Sequence, residues 1–356
     1  MHITIDCRMW GEKYGGIGRY TTEIVLYLLK YQSWDFTLLY TSGEYDNLKE
    51  YEQENIHLIP CNAKMFSIKE QWEIWRKVPY CDVFWCPYMN IPFLKTKARK
   101  TVVTLHDVFH IANPQYYSRL KRLAIAPYYF FSTRNSDMIF TVSKFSKSEI
   151  EKYFGERIAK KVKVIYNGCE INDKGITAPN VGYEYFLFVG SIKPHKNLRN
   201  ALLAFMGMEN LNYKFVIVGK KEGFITGDKY VFDLVNQMNT TAERVIFTGN
   251  VSDKELYSWY KGAKTLVMPS FYEGFGLPLV EAMHFNIPII CSDILVFHEI
   301  CGKLVQYFNP YDYMDIRNKM EIAAGNCNNV TFPQWRNWAQ TSQEIKTMLE
   351  SLIQSR

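Results

Sequence analysis

Short apolar runs the length of buried strands recur along this chain, and helical patterns stand between several of them. Residues 2–6, 36–40, 56–60, 83–86, 101–105, 138–142 and 162–166 form a first series. Residues 185–190, 214–219, 265–268 and 287–291 belong to a second. Strands alternating with helices imply an open parallel sheet, since parallel neighbours need long crossovers. Residues 172–183 separate the two series; they are polar, carry Gly and Pro, and have no period, which marks a linker. At 356 residues two domains are expected. The spans are 1–172, 183–335 and a C-terminal segment 336–356, the last lying in a helical pattern from 332 to 356 with Trp335 and Trp338 to bury.

The richest stretch is 265–284. A strand-like run, 265–268, leads through a turn-rich loop to a helix that starts near Pro278. Glu273 lies on the loop and Glu281 two turns along. Phe275, Gly276 and Leu277 present backbone N–H groups at the helix mouth, a place that favours an anion. The N-terminus has a similar plan, in which strand 2–6 precedes Gly15-Gly16-Ile17-Gly18-Arg19-Tyr20 and a helix over 21–30. The dinucleotide fingerprint needs Gly where Thr21 stands, and only Asp35 and Glu44 are available for a ribose. An NAD oxidoreductase is therefore disfavoured.

Further polar groups fall at strand ends. His106 and Asp107 follow the 101–105 run, where open α/β sheets bind ligands. Ser143 and Ser146 open a helix, either as caps or as groups for phosphate or sugar. Lys196 sits between the 185–190 run and the next helix, suited to neutralising a diphosphate. Taken in order, the Gly-rich turn, H-D, T-V-S-x-F-S, the Lys196 loop and the Glu273/Glu281 pair around Gly-Phe-Gly-Leu-Pro resemble the retaining GT-B glycosyltransferases of the GT4 type. Among these the chain looks most like bacterial O-antigen and polysaccharide mannosyltransferases, which commonly use GDP-mannose.

The resemblance implies an α/β fold of two Rossmann-like domains facing each other across a cleft, with the last helix crossing back to the N-terminal domain. It implies catalytic roles for His106, Glu273 and Lys196. Donor contacts are implied for Gly16, Ile17, Gly18, Ser191, Lys196, Thr248, Gly274, Phe275, Gly276, Leu277 and Glu281. Glu273 would orient the sugar, Glu281 would take the ribose hydroxyls, and the 248–251 segment would meet the base. Domain closure would complete the site. Ser191 stands where the family commonly has Arg, with Lys193 or Arg199 as substitutes. The family's A-C-G-x-P reads His284-Phe285-Asn286-Ile287-Pro288, and the Pro of the following S-x-x-P-E is lost before Glu299.

The reaction implied moves a hexose from a nucleotide-sugar, GDP-mannose by this likeness, to a glycan or polyprenyl-linked hydroxyl. There is no cofactor beyond that co-substrate, and the lack of D-x-D predicts no essential metal. A sugar-nucleotide epimerase of the same architecture and an inactive scaffold remain as alternatives.

The net charge of +6 lies wholly in the N-terminal half, which suits an anionic partner or a merely solvated face. A peripheral membrane contact through that half is one expectation, and nucleic acid is not expected. Over 67–78, Ser67 and Glu70 form a capping box, while Ile68, Trp72 and Trp75 share a face that either meets a membrane or, more simply, joins the core. With no signal peptide, no membrane span and no C-x-x-C among eight Cys, the expectation is reduced buried thiols in a cytoplasmic protein, with work at the inner membrane face as a further reading.

Overall fold

The structure is a computed structural model that describes residues 1–209, 212–219, 229–325 and 330–354. It divides into two compact units, Met1–Gly168 with Arg336–Arg356, and Cys169–Trp335.

In the first unit the strands are β1 (His2–Asp6), β2 (Asp35–Tyr40), β3 (Ile56–Pro60), β4 (Cys81–Cys86), β5 (Ala98–Thr104), β6 (Met138–Thr141) and β7 (Val162–Val164). They form one parallel sheet in the order β3-β2-β1-β4-β5-β6-β7. β1 buries both faces, as a central parallel strand must. The chain winds outward from β1 and returns to place β4 beside it. At the carboxyl ends of that pair lies a closed polar cluster. Arg8 donates to Asp6 at 2.8 and 2.7 Å and to Glu70 at 2.6 Å; Tyr88 donates to Asp6 at 2.8 Å and Asn90 to Glu70 at 2.7 Å. All five residues are buried. Burial pushes the Glu70 carboxyl above its ordinary value against the pull of Arg8.

This cluster corrects the capping box expected at Ser67. Ser67 does cap its helix, Ile68–Lys77, by accepting from Glu70 N–H. The Glu70 carboxylate, however, turns inward to Arg8, Asn90 and Phe66 N–H. The reading of that helix face as core is also corrected: Ile68 is 80% and Trp72 54% exposed, while Trp75 is half-buried with its indole N–H on Lys95 O. The C-terminal helix is Trp338–Gln354, starting later than the expected 332; residues 355–356 lie outside the described ones. It belongs to the first unit and packs on helix Gly15–Leu28. Gly168 permits this, since a Cβ there would lie 2.5 Å from Trp338 N.

In the second unit β8 (Tyr185–Val189), β9 (Lys214–Val218), β10 (Val245–Gly249), β11 (Thr265–Met268), β12 (Ile289–Ser292) and β13 (Gln306–Phe308) form a parallel sheet in the order β10-β9-β8-β11-β12-β13. The winding repeats that of the first unit, outward from β8 and back to β11. Phe186, Phe188, Ile217 and Val267 build its core against helix Leu198–Met206. The expected linker, 172–183, lies within this unit: Ile176 is buried and its carbonyl accepts from Lys261 Nζ at 2.8 Å. Among the described cysteines Cys81 and Cys169 are only half-buried, against the expectation; Cys327 lies outside the described residues.

Candidate active site

In the second unit the chain leaves β8 through 190–197 and leaves β11 through 269–276, beside each other at the carboxyl edge where the strand order reverses. Asn197 stitches the two loops. It adopts a left-handed conformation (φ 56°) and donates from Nδ2 to Pro269 O at 2.9 Å and Pro310 O at 2.7 Å. Phe271 N–H adds a bond to His195 O at 2.8 Å. The result brings Lys196 Nζ to 2.6 Å from Glu273 Oε1, which also accepts from Ser270 Oγ at 2.8 Å. The two side chains are 21% and 11% exposed, so the charges are sheltered yet reachable.

The helix after this loop is Leu277–His284. Gly276 caps it at φ 110°, and a Cβ there would stand 3.0 Å from Leu279 Cδ1. Gly274, Phe275 and Gly276 are buried and Leu277 half-buried around the helix mouth. Glu281 follows one turn inside, 4% exposed, and accepts from Tyr260 OH at 2.8 Å.

At the carboxyl ends of β8, β9 and β10 stand Gly190, Gly219 and Gly249. A Cβ on Gly219 would lie 2.1 Å from Gly190 O, so this edge is backbone at close approach. Ser191 is half-buried there. Thr248 turns its hydroxyl onto the Gly249 carbonyl at 3.2 Å. Of the substitutes considered for Ser191, Arg199 lies over the Tyr230 ring at 3.9 Å, and Lys193 is exposed.

The altered stretch after the helix keeps its geometry by other means. Asn286 stands where the sequence departs from Gly and takes φ 53°, which Asn tolerates. Phe285 stacks on Tyr260. His298, at the lost Pro, pairs with Asp293 at 2.6 Å and stacks on Tyr307.

In the first unit His106 follows β5. Its Nε2 lies 2.9 Å from Pro87 O; a carbonyl only accepts, so Nε2 carries the proton and Nδ1 the lone pair. Tyr20 meets the ring edge-on at 4.7 Å, and burial holds the His106 pKa below its ordinary value. Ser143 caps helix Lys144–Phe154, and Ser146 donates to His106 O at 3.0 Å. Both serines are buried, one as a cap and the other as a brace. The expected Gly-rich turn before a helix is corrected too: helix Gly15–Leu28 begins at Gly15, and Gly16, Ile17 and Gly18 form its first turn. Gly18 lets the Gly11 carbonyl approach, since a Cβ would fall 1.9 Å from it, and Ile17 packs against the core. Among the described residues no group of three His, Cys, Asp or Glu could hold a metal ion.

Tyr260 and Ser270 escaped sequence reading. Ser270 lies three residues from Glu273 and was within reach of a local argument; Tyr260 comes from another helix and only packing reveals it.

Two family models match consecutive parts of the chain: Glycosyltransferase Family 4 over residues 14–173 and Glycosyl transferases group 1 over 170–326. O-antigen chain mannosyltransferase B of Escherichia coli is 25% identical over 83% of this chain and 84% of its own length. O-antigen chain mannosyltransferase RfbU of Salmonella typhimurium is 33% identical over 63% of this chain and 59% of its own. The chain spans under a third of the serotype-specific mannosyltransferase WbdA of E. coli, at 27% identity. Among solved structures, Anabaena HepE in complex with UDP and glucose superposes with a TM-score of 0.75 at 16% identity, covering 99% and 100% of the two chains. WaaG, a glycosyltransferase involved in lipopolysaccharide biosynthesis, gives 0.68 at 14%, covering 99% and 97%. The fold is GT-B, two parallel sheets each surrounded by helices.

Proposed function

The chain belongs to the Family 4, group 1 glycosyltransferases, and on that premise we propose that it transfers mannose from GDP-mannose, with retention and without a metal ion, to a hydroxyl of a glycan or lipid-linked glycan in bacterial cell-surface polysaccharide synthesis. The observation that carries this reading is the Lys196–Glu273 pair held beside the mouth of helix Leu277–His284. Mannose rests on the names of the relatives.

As the bond from the sugar C1 to the diphosphate breaks, negative charge grows on the leaving oxygen. Lys196 and the N–H groups of Phe275, Gly276 and Leu277 stabilise it, with Gly274 and Ser191 leaving room for the phosphates. The acceptor oxygen bonds to C1 from the same face, and its proton passes to the departing diphosphate. Glu273 orients the sugar ring through its hydroxyls. Glu281 takes the ribose, and Thr248 presents backbone to the base. In this reading the diphosphate is the base, and no paired-carboxylate double displacement is required.

A lipid-linked acceptor gives meaning to one surface of the first unit. Ile68 and Trp72 on helix Ile68–Lys77, Leu120 (80%) and Leu123 (71%) on helix Arg119–Asn135, and Phe66 between them are exposed. Phe66 touches Tyr128 of the second helix. Lys69 and Arg76 are exposed on the first of these helices and Arg119, Lys121 and Arg122 on the second, charges that suit an anionic bilayer surface. Work at the inner membrane face is proposed on this ground.

The test is incubation with GDP-mannose and a polyprenyl diphosphate-linked oligosaccharide in EDTA, followed by NMR of the product. An α-mannosyl product with GDP release is expected. A β linkage, a requirement for added metal, or conversion of the sugar nucleotide without acceptor would overturn the reading.

A further inference from the structure

We infer that Tyr260, backed by Phe285, positions Glu281 toward the ribose diol of the donor and so lets the site tell ribonucleotides from deoxynucleotides. The inference rests on the donor reading above and concerns two residues that reading does not use. Tyr260 is fully buried on helix Asp253–Gly262 and donates to Glu281 Oε2 at 2.8 Å. A carboxylate has two equivalent oxygens and free rotation about its last bond. The charge-assisted O–H donor on Oε2 constrains the plane of the group, and with it the direction of Oε1.

The donor is itself held on both sides. Its helix is pinned at one end by the Ser252–Glu255 capping box and at the other by Lys261, whose Nζ reaches Ile176 O. The Tyr260 ring lies nearly parallel to Phe285, 5.9 Å between centroids and 11° between planes, while Tyr257 flanks Phe285 at 42°. Phe285 is placed by the turn behind it, where Asn286 takes φ 53° and its Oδ1 accepts Phe332 N–H at 2.8 Å. The departure from A-C-G-x-P thus acquires a purpose. An aromatic ring in place of a small residue braces the phenol that holds the buried carboxylate.

The test is titration calorimetry of GDP and 2′,3′-dideoxy-GDP, with UDP and its dideoxy form run beside them. Wild type, Tyr260→Phe and Phe285→Leu are compared. Wild type prefers the ribonucleotide by about tenfold or more, as one hydrogen-bonded site group dictates. Tyr260→Phe loses about tenfold in ribonucleotide affinity while the dideoxy affinity holds, so the preference collapses; Phe285→Leu shifts it about threefold the same way. Equal weakening of both ligands, the mark of a merely structural role, would overturn the inference, as would an unchanged preference in Tyr260→Phe. Failure of the donor reading itself would look different: wild type would bind none of the nucleotides, and the inference would fall with it.

Discussion

Lys196 and Glu273 are 77 residues apart in sequence and 2.6 Å apart in space, and the loops that carry them are locked by Asn197. Replacing Lys196 by Ala removes the cation from the leaving diphosphate and should lower kcat by about 10²–10³, with weaker GDP binding. Glu273→Gln keeps the shape but loses the charge; kcat should fall similarly while GDP affinity changes by less than about threefold, because in this account the carboxylate serves the sugar. Steady-state rates beside GDP titrations separate the two, and a Glu273→Gln variant with full activity would contradict the assignment. His106 makes a pH prediction. Its folded pKa lies below the ordinary 6.5, so the unfolded chain takes up the proton first as pH falls. The stability linked to this group is fully present above 6.5 and is lost as pH drops toward the folded value. Melting scans should show that slope, and His106→Gln should flatten it. The glutamate pair was legible because both members sit in one continuous motif. Tyr260 was not, because it reaches Glu281 from 21 residues away and reads as ordinary helix core.

Helix Ile68–Lys77 shows what a pattern alone leaves open. An apolar stripe at helical spacing is the same whether it faces core or solvent; what decided it here is Glu70, drawn inward by Arg8, which turns Ile68 and Trp72 outward. Trp72→Glu with Ile68→Glu should weaken binding to anionic phospholipid vesicles by about tenfold at low salt and leave melting unchanged, read by sedimentation. Binding unaffected by the pair would remove the membrane surface from the account. The Arg8 cluster itself holds the helix to the sheet. Arg8→Ala leaves Asp6 and Glu70 as uncompensated buried carboxylates, and urea unfolding should lose about 3–5 kcal/mol. The first helix was misread for a related reason: three glycines suggest a turn, yet Gly18 is there for the close approach of Gly11, and helix Gly15–Leu28 runs through them.

At the scale of the whole chain, the alternation of strands and helices was enough to give two parallel sheets, because an apolar strand followed by a crossover helix has few other ways to be buried. Strand ends were readable only to within a few residues; the division between units falls at Gly168 rather than inside 172–183, since a polar stretch can still pack when one residue such as Ile176 is buried. The two sheets wind alike, and in the second the Lys196–Glu273 pair lies where the order reverses. The central claim is that the second of them holds a nucleoside diphosphate by Lys196 and a helix mouth, with no metal. The measurement is thermal stabilisation of wild type and Lys196→Ala by GDP, UDP, ADP and their sugars, with and without EDTA. The account predicts a shift with GDP and GDP-mannose that EDTA leaves unchanged and Lys196→Ala diminishes. A shift that EDTA removes, or the absence of any shift across the panel, would contradict it.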